Sequence, residues 1–565
     1  INLTKSWLSP TPKFQLTPSI RKVIMTVYNI NLGIGWASSG VEYAQAYRSK
    51  VFKNLGLEAK FVFTDFFSQD NIIDMTRNVG FSDDQIIWMY NYFTDQTPAP
   101  TTLTESDLKA QFTREITKVD REDKLVRFYF GNRDFATAYY CRHSKEIIHR
   151  IEFVSNGNLV RKDFYNNGKT LSFTEFYAPK DNAAKLYKRS YYNLDGSLAY
   201  DEITDGDQPF YRFPNRILYS KEELVAYFME RLELTSENLV LLDRSTGIGQ
   251  SVFRHVKPAK LGVVVHAEHY SENGTNANSV LWNNYYDFQF TNADSVDVFI
   301  VATERQKEIL SQQFLIYKHQ EPKIATIPVG SIDQIKEPKS PRIPFSVMTA
   351  SRLATEKHID WLIEAVVEAH EVVPDINFDI YGSGSEEAKL RQIIEEKGAK
   401  DYIQLLGHQD LSHTYMHHEV YLSGSKSEGF GLTLMEAIGS GLPLIGFDVR
   451  YGNQNFIKDE ENGYLIPISE LDTDQEIVES LSTKIVQIFT LANLDSMHRV
   501  SYEMAKDYLT DKVEAKWKQL ITDLTNQNPA SQEKNQTAEQ APVQVRDQST
   551  DANLTNDNDK ELSHD

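Results

Sequence analysis

Cysteine is nearly absent from this chain of 565 residues, in which Cys141 is the single example. One thiol cannot form an internal disulfide, and it cannot build a zinc site of the kind that takes several cysteines. Such low cysteine usage suits a reducing compartment. The sequence therefore predicts a cytoplasmic protein that folds without disulfide bonds.

Long hydrophobic runs are also missing. The longest lie in LGVVVHA and VDVFIVA, which have the length of strands rather than the roughly 18 residues of a membrane helix. Residues 1–22 lack the apolar core of a secretory signal. Because Met25 falls inside the first good strand pattern, we expect residues 1–22 to be a leader segment and Met25 to be the native start.

Positive charge is scarce. The chain has 59 Lys and Arg against 80 Asp and Glu, a formal net charge of −21. A surface this acidic repels phosphate backbones, which excludes a broad nucleic-acid interface. A local basic pocket for a small anionic ligand remains compatible with this charge.

Alternating strands and helices occupy both ends of the chain. A strand, VIMTVYNI, is followed by a glycine-containing loop, a helix and a second strand, and a further series of this kind starts near residue 344. This order is typical of doubly wound parallel sheets. We therefore expect an α/β protein with two facing Rossmann-like domains.

Short runs of alternating aromatic and charged residues separate these two parts. They are punctuated by Asn156-Gly157, Asn167-Gly168 and Asp195-Gly196, dipeptides that favour type I′ hairpin turns. The pattern predicts an inserted antiparallel β-meander, either a purely structural insertion or a surface for docking a partner or acceptor. The predicted boundaries are a leader at 1–22, an N-terminal Rossmann-like domain at 23–65 and 215–325, the meander at 66–214, a C-terminal Rossmann-like domain at 326–502, a closing helix at 503–526 and a disordered tail at 527–565.

Ligands of open α/β sheets bind beyond the carboxyl ends of the strands, so the loops at those ends are the candidate site. Arg352 and Lys357 lie on one such loop before a helix, a pattern that suits a diphosphate but also a solvated basic pair. His408 and Gln409 follow another strand, where their backbone groups would receive a base. The recurrence of cations and glycines at neighbouring strand ends favours the ligand interpretation.

The stretch SEGFGLTLMEA places Glu428 and Glu436 eight positions apart around a glycine-rich turn, Gly429, Phe430 and Gly431. We expect Glu428 to accept hydrogen bonds from sugar hydroxyls and Glu436 to accept them from a ribose. The amides of the turn and the helix that follows would face a phosphate. A capping glutamate with a surface glutamate is the alternative interpretation.

The first domain offers a second set of candidates. Gly40, Val41, Glu42 and Tyr43 open the first helix after a strand, and His266 ends the strand LGVVVHA. A histidine there is either structural or directed at the ligand. No Asp-x-Asp motif follows an obvious strand, so we expect no metal site and no cofactor, with cationic side chains facing the diphosphate instead.

Together these motifs resemble the family-four retaining nucleotide-sugar glycosyltransferases of the GT-B fold, over about residues 23–65 and 215–525. The family's E-x7-E pair matches Glu428 and Glu436, and its paired cations match Arg352 and Lys357. Its Gly-x-Glu opening matches Gly40 to Glu42, although Ser39 replaces the first family glycine. The whole chain is similar to a narrower group, the catalytic subunits of accessory-Sec glycosyltransferase pairs, which begin O-glycosylation of serine-rich repeat adhesins in Gram-positive bacteria.

This resemblance implies a UDP-GlcNAc:protein Ser/Thr transferase that acts in the cytoplasm before export, without a cofactor. It implies a related non-catalytic partner subunit, an adhesin polypeptide as acceptor, and peripheral membrane association through the complex. The N-terminal domain would face the acceptor and the C-terminal domain would hold the nucleotide sugar. The implied catalytic residues are Glu428 and His266, and the implied substrate-binding residues are Gly40, Val41, Glu42, Tyr43, Arg352, Lys357, His408, Gln409, Gly429, Phe430, Gly431 and Glu436.

Two alternatives stay open at this stage. One is a family-four transferase that uses another donor, such as UDP-glucose, or a non-protein acceptor. The other is a non-catalytic adhesin-binding chaperone of the same fold, which loss of Glu428, Arg352 or Lys357 would favour, and all three are present.

Overall fold

The computed structural model describes residues 25–526 except for 37, 206 and 207. The expected leader at 1–22 and the tail at 527–565 therefore lie outside the described residues. Those up to Leu520 belong to one unit, and the last residues of the final helix belong to a second. None of the described helices is long and apolar enough to cross a membrane.

The chain opens with three parallel strands and the helices between them. The side chains of strands β1 to β3 are largely buried because helices cover the sheet, and β1 buries the polar Asn29 and Asn31 beside its apolar residues. The elements are β1 (Thr26–Asn31), α1 (Gly40–Asn54), β2 (Glu58–Phe63), α2 (Ile72–Val79), β3 (Ile86–Trp88), α3 (Met89–Tyr92) and α4 (Glu105–Gln111).

Ten antiparallel strands follow, each paired with its neighbours in chain order, as the meander pattern predicts. At Asn156-Gly157 both residues have positive φ angles, as a type I′ turn requires. The strands are β4 (Lys118–Arg121), β5 (Leu125–Tyr129), β6 (Phe135–Tyr140), β7 (Ile148–Ser155), β8 (Asn158–Phe164), β9 (Phe173–Lys180), β10 (Ala183–Tyr192), β11 (Leu198–Asp205), β12 (Gln208–Arg212) and β13 (Ile217–Leu218).

The first sheet is completed after the meander. Its seven strands have the order β19-β18-β15-β14-β1-β2-β3, and all of its pairs are parallel. A separate hairpin consists of β16 and β17. This segment contains α5 (Lys221–Arg231), β14 (Leu239–Leu242), α6 (Gly249–His255), β15 (Lys260–Val265), β16 (Tyr270–Asn276), β17 (Ser279–Trp282), α7 (Asp287–Thr291), β18 (Val298–Val301), α8 (Glu304–Gln313) and β19 (Ile324–Thr326).

A second parallel sheet forms the C-terminal domain, with the order β22-β21-β20-β23-β24-β25. Buried apolar side chains of its strands pack against α9 and α13. The elements are β20 (Ser346–Ala350), α9 (Ile359–His370), β21 (Asn377–Tyr381), α10 (Glu387–Glu396), β22 (Ile403–Gly407), β23 (Val420–Ser423), α11 (Leu432–Gly439), β24 (Leu444–Phe447), α12 (Gly452–Phe456), β25 (Gly463–Ile466), α13 (Asp474–Thr490), α14 (Leu494–Ala505) and α15 (Thr510–Asn526).

The predicted fold class, two Rossmann-like domains with an inserted meander, is confirmed. Two predicted boundaries are wrong. The insertion does not begin at residue 66, because β3 pairs with β2 in the first sheet and the meander strands start at Lys118. The stretch 503–526 is not one helix, because α14 ends at Ala505 and α15 begins at Thr510, after which Trp517 packs edge-on against Phe52 of α1.

Candidate functional site

A cavity of about 630 Å³ lies where the carboxyl ends of both parallel sheets meet. Its volume is within the range of small-molecule sites. We call it the interdomain cavity. The N-terminal domain contributes Leu32, Ser38, Gly40, Val41, Tyr43, Asp243, Arg244, Ser245, Thr246, His266, Ala267, Tyr285, Tyr286 and Val329, and the C-terminal domain contributes Ala350, Ser351, Arg352, Lys357, Glu428, Phe430, Gly431, Leu432 and Thr433.

Glu428 and Lys357 form an ion pair in the wall of this cavity. The Lys357 Nζ lies 2.7 Å from Glu428 Oε2 and 3.3 Å from Ser425 Oγ. The Lys357 side chain is 18% exposed and the Glu428 side chain is 22% exposed, so each still presents part of its surface to the cavity. The structure thus brings together one anionic and one cationic group that the sequence places on separate loops.

The backbone of Glu428 is fixed by the segment that follows β24. The amides of Tyr451 and Gly452 both donate to the Glu428 carbonyl at 2.7 Å, and the Glu428 amide donates to Arg450 O at 3.2 Å. Any shift of residues 450–452 would therefore move the Glu428 carboxylate.

Tyr451 is in turn held by the other domain. Its hydroxyl lies 2.8 Å from His269 Nδ1, and His269 Nε2 lies 2.8 Å from Gln313 Oε1. Burial lowers the pKa of His269 to about 4, so the ring is neutral, donates to Gln313 and accepts from Tyr451. This buried chain of hydrogen bonds ties the position of Glu428 to the contact between the two domains.

The cavity wall also contains an anion-binding arrangement. Helix α11 begins after Gly431, whose φ of 86° requires glycine, and no side chain caps its first amides. Arg352 is 61% exposed and forms a solvent-exposed ion pair with Glu356, at 2.9 Å. Free helical amides beside Arg352, Lys357 and Arg244 form a site suited to a diphosphate.

The predicted histidine belongs to a buried charge network. His266 Nε2 lies 2.7 Å from Asp243 Oδ1, and Arg48 donates to both oxygens of the same carboxylate, at 2.6 and 3.2 Å. Burial alone would raise the pKa of Asp243, but Arg48 and His266 outweigh it and hold the pKa well below its usual value. Asp243 therefore stays ionised and fixes the orientation of the His266 ring.

Asp243 and Arg244 are functional-site candidates that the sequence interpretation missed. They follow β14 directly, so inspection of the residues after the run LVLL would have found them. Arg48 lies in the middle of α1, and no local pattern marks it as a partner of Asp243.

Glu42, predicted to line the ligand site, does not lie in the wall of the interdomain cavity. Its carboxylate accepts hydrogen bonds from the Ser39 amide at 2.7 Å and from Asn31 Nδ2 at 3.0 Å, and it is buried. Ser39 and Glu42 form a capping box at the start of α1. Gly40, Val41 and Tyr43, by contrast, do lie in the cavity wall.

Glu436 lies in a second, smaller cavity of about 230 Å³, apart from Glu428. Tyr415 and Tyr47 donate to its two oxygens at 2.9 and 3.2 Å, and Tyr47 reaches it from the N-terminal domain. Burial raises its pKa, while the two tyrosines oppose that rise. We call this space the Glu436 cavity; it is lined by Tyr47, Ser331, Ile332, Asp333, Lys336, Asp410, Leu411, Ser412, Tyr415, Glu436 and Gly439.

The remaining predicted residues occupy three settings. His408 and Gln409 are exposed and belong to neither described wall, although the next residue, Asp410, lines the Glu436 cavity. Phe430 is buried beneath the turn and lines the interdomain cavity. Gly429 packs against the carbonyl of His266, so its lack of a side chain serves the domain contact.

Comparisons with known proteins agree with this architecture. The model for the "GtfA extended beta-sheet domain" matches residues 118–215, and the model for "Glycosyl transferases group 1" matches residues 332–484. The UDP-N-acetylglucosamine–peptide N-acetylglucosaminyltransferase GtfA subunit of Streptococcus gordonii is 55% identical over 88% of this chain and 99% of that relative.

Solved structures are similar over the same extent. The crystal structure of the pneumococcal O-GlcNAc transferase GtfA in complex with UDP and GlcNAc has a TM-score of 0.85 and 52% identity, covering 89% of this chain and 99% of that chain. A crystal structure of a GtfA/B complex has a TM-score of 0.84 and 54% identity, covering 89% of this chain and 100% of that chain. The likeness thus includes both Rossmann-like domains and the meander.

Proposed function

Since this chain belongs to the GtfA family of UDP-N-acetylglucosamine–peptide N-acetylglucosaminyltransferase subunits, we propose that it transfers GlcNAc from UDP-GlcNAc to Ser and Thr hydroxyls of a polypeptide. The observation that carries this proposal is the Lys357–Glu428 ion pair beside the uncapped start of α11. A nucleotide sugar needs a cationic surface for its diphosphate and a carboxylate for its sugar hydroxyls, and this wall offers both.

The donor would lie with its diphosphate against Arg352, Lys357 and the first amides of α11. Glu428 would accept hydrogen bonds from the sugar, with His266 facing it from the N-terminal domain. Glu436 would accept from the ribose, which requires the nucleoside to reach toward the Glu436 cavity. Gly40, Val41 and Tyr43 would complete the wall on the N-terminal side.

We further propose that the sugar is transferred with retention by front-face attack. The acceptor oxygen bonds to the anomeric carbon as the bond from that carbon to the UDP oxygen breaks, and the departing phosphate takes the acceptor proton. The protein contributes positioning and electrostatic stabilisation of the leaving UDP. A trapped glycosyl adduct on any side chain would contradict this step.

No metal is needed at the diphosphate in this proposal, because Arg244, Arg352, Lys357 and the α11 amides already supply positive potential there. Transfer should therefore proceed at the same rate in chelator-treated enzyme with and without added Mg²⁺ or Mn²⁺. A rate that returns only after metal addition would contradict it.

Acceptor and partner follow from the relatives. The GtfA/B complex supports assembly with a second subunit, and the family name supports a peptide acceptor. We propose that the second subunit is a related, non-catalytic chain. We propose a serine-rich repeat adhesin as that acceptor, modified in the cytoplasm before export as the first step of its glycosylation. Peripheral association with the membrane would occur through the complex.

Release of UDP tests this proposal directly. The chain, together with its partner subunit, is incubated with a Ser/Thr-rich peptide and a panel of UDP-sugars. We expect peptide-dependent UDP release with UDP-GlcNAc and a matching mass increase on the peptide. A preference for UDP-glucose would mean that UDP-glucose, and not UDP-GlcNAc, is the donor. If no UDP-sugar gave UDP release, the result would favour a non-catalytic chaperone.

Substitution of Glu428 tests the site itself. Glu428→Ala should abolish transfer while the circular dichroism spectrum stays that of the wild type, since the side chain borders the cavity and its backbone contacts remain. Glu395→Ala, at an exposed glutamate of α10, is the matched control and should transfer normally. If Glu428→Ala transferred the sugar at the wild-type rate, the donor sugar would have to bind away from Glu428.

A further inference from the structure

The Glu436 carboxylate accepts hydrogen bonds from two different domains. Tyr47 of α1 donates to Oε1 at 3.2 Å from the N-terminal domain, and Tyr415 of the C-terminal domain donates to Oε2 at 2.9 Å. Tyr47 and Glu436 are 389 residues apart in the chain. All three side chains line the Glu436 cavity, so one tyrosine hydroxyl holds each carboxylate oxygen at the edge of that space.

This carboxylate still has room for two further donors. A carboxylate oxygen can accept two hydrogen bonds, so one tyrosine on each oxygen leaves one acceptor position per oxygen. None of the described residues forms an ion pair with Glu436, and its negative charge is not cancelled by the neutral tyrosines. An ionised acceptor of this kind forms stronger hydrogen bonds than a neutral one. The arrangement therefore suits a ligand with two adjacent hydroxyls, as a ribose has.

Helix α1 reaches both ends of the proposed donor site. Its first residues line the interdomain cavity, and Tyr47, two helical turns further on, lines the Glu436 cavity. The next residue, Arg48, holds Asp243 in the network that orients His266. A single helix thus connects the nucleoside end of the site with the sugar end.

We propose that Tyr47 is a positioning residue for the donor nucleoside, which fixes the Glu436 carboxylate so that its two free acceptor positions face the 2′- and 3′-hydroxyls of the ribose. This inference rests on the proposed function, because it requires a ribonucleotide in the Glu436 cavity. Tyr47 makes recognition of the ribose a property of both domains. Without its hydroxyl, Oε1 loses its donor and the carboxylate is free to rotate away from the ribose.

The protonation state of Glu436 gives Tyr47 a second effect on the same group. Burial raises the pKa of Glu436, and hydrogen bonds from Tyr415 and Tyr47 oppose that rise. A protonated carboxyl group uses one oxygen as a donor and has fewer acceptor positions for ribose hydroxyls. Tyr47 therefore helps to keep Glu436 ionised as well as oriented.

Binding of UDP and 2′-deoxy-UDP tests the proposal. The chain is studied with its partner subunit by titration calorimetry. The wild type should bind UDP roughly tenfold more tightly than 2′-deoxy-UDP, as expected for one hydrogen bond to a charged group. Tyr47→Phe keeps the ring and its packing, and it should lose most of this preference.

Kinetics with UDP-GlcNAc distinguish positioning of the nucleoside from an effect on the chemical step. Contacts to the ribose are the same in the bound substrate and in the transition state, because the ribose does not react. Tyr47→Phe should therefore raise KM roughly tenfold and leave kcat unchanged. Asn54→Ala is the matched control, since it removes another contact of α1, the 2.6 Å hydrogen bond to Glu514 of α15, without touching either cavity. It should keep the wild-type KM and the preference for UDP.

A double variant shows whether Tyr47 acts through Glu436. Glu436→Gln should lose the preference for UDP, and adding Tyr47→Phe should cause little further loss. Additive losses would overturn the proposal, and so would a Tyr47→Phe preference equal to or greater than that of the wild type. Wild-type protein that transfers GlcNAc but binds both nucleotides equally would overturn it and leave the proposed function standing. The expected preferences in a wild type that transfers no sugar would contradict the proposed function alone.

Discussion

At the residue scale, Lys357 has two roles in the structure. It neutralises Glu428 across 2.7 Å, and it presents its remaining surface to the interdomain cavity, where the diphosphate would lie. An ion that binds there would share Nζ with Glu428 and so connect the sugar end of the site with the phosphate end. Lys357 is thus a positioning group as well as a cation.

Lys357→Ala should lower kcat for UDP release by roughly 10²–10³, as expected when one preorganised donor to a developing charge is removed. Steady-state kinetics with UDP-GlcNAc measure this. Lys389→Ala removes an exposed lysine of α10 that pairs with Asp360, and it should leave the kinetics unchanged. A wild-type kcat in Lys357→Ala would mean that the diphosphate binds elsewhere.

Asp243 shows how deeply the site depends on one buried charge. Its side chain is 0% exposed and that of its partner Arg48 is 4% exposed. Asp243→Asn leaves the guanidinium buried without its counter-charge, which should cost about 3–5 kcal/mol of unfolding free energy at neutral pH. Denaturant titration measures this loss, and Asp123→Asn, which breaks an exposed pair with Lys145, should not change the midpoint.

The effect of Asp243→Asn on the free energy of unfolding should depend on pH. Because the folded protein holds the pKa of Asp243 below the ordinary 3.8, ionised Asp243 stabilises the fold at pH values above 3.8, and this stabilisation is lost as pH falls through the lowered pKa. The difference in unfolding free energy between wild type and Asp243→Asn should be constant near neutrality and shrink below pH 3.8. A difference that grows on acidification would contradict this assignment.

At the scale of elements, Gly429 in the turn before α11 determines how closely the domains approach. A Cβ on residue 429 would lie far inside contact distance of the His266 carbonyl oxygen, which is backbone and cannot move aside alone. The domains would then have to separate, and the interdomain cavity would open. The glycine is required by the packing of two loops rather than by the ligand.

Gly429→Ala should therefore lower kcat/KM by about tenfold or more, since an ångström of misplacement in a reacting site can cost roughly 10²-fold. Gly131→Ala, at a meander position where a Cβ meets nothing within 4 Å, is the control and should behave as the wild type. Kinetics and thermal unfolding are measured together. Unchanged kcat/KM in Gly429→Ala would show that the two loops separate during turnover.

Local patterns predicted much of the elements and part of the site. Strand-end loops located Arg352, Lys357, Glu428 and His266 because ligand sites of parallel sheets lie there. The stretch Ser39-Gly40-Val41-Glu42 fits two patterns, the Gly-x-Glu opening of a ligand loop and the S-x-x-E spacing of a helix capping box. The capping box is the pattern that determines where the Glu42 side chain points.

Contacts between residues that are far apart in the sequence could not be predicted from these local patterns. Arg48 and Asp243 are 195 residues apart, and Tyr451 and His269 are 182 apart. Such pairs depend on how the two sheets are placed, which neither periodicity nor turn chemistry specifies. The start of the insertion was misplaced for a related reason, since β3 has only three residues and is recognisable as a strand of the first sheet only from its pairing with β2.

At the scale of the whole molecule, the meander shares a core with the N-terminal domain. Tyr191 of β10 stacks on Tyr200 of β11, 4.3 Å between ring centroids, and on Tyr90 of α3 at 6.0 Å. The Tyr200 hydroxyl donates to the Tyr90 carbonyl at 2.7 Å. Arg189 bridges Glu175 and Glu202 and lies over the ring of Phe66, 3.8 Å from its centroid. These buried contacts make the meander a continuous part of the N-terminal domain, despite its insertion in the sequence.

The two parts should consequently unfold together. Tyr191→Ala deletes a fully buried ring of this shared core and should cost about 3–5 kcal/mol. Tyr187→Ala, on the same strand but 44% exposed, should change the unfolding free energy little. Native-state hydrogen exchange separates the possibilities, because a shared core requires that Tyr191→Ala speed exchange in β3 as much as in β9 to β11. Faster exchange confined to the meander strands would instead identify an independently folding module, and the partner subunit would then be free to rearrange it without disturbing the cavity.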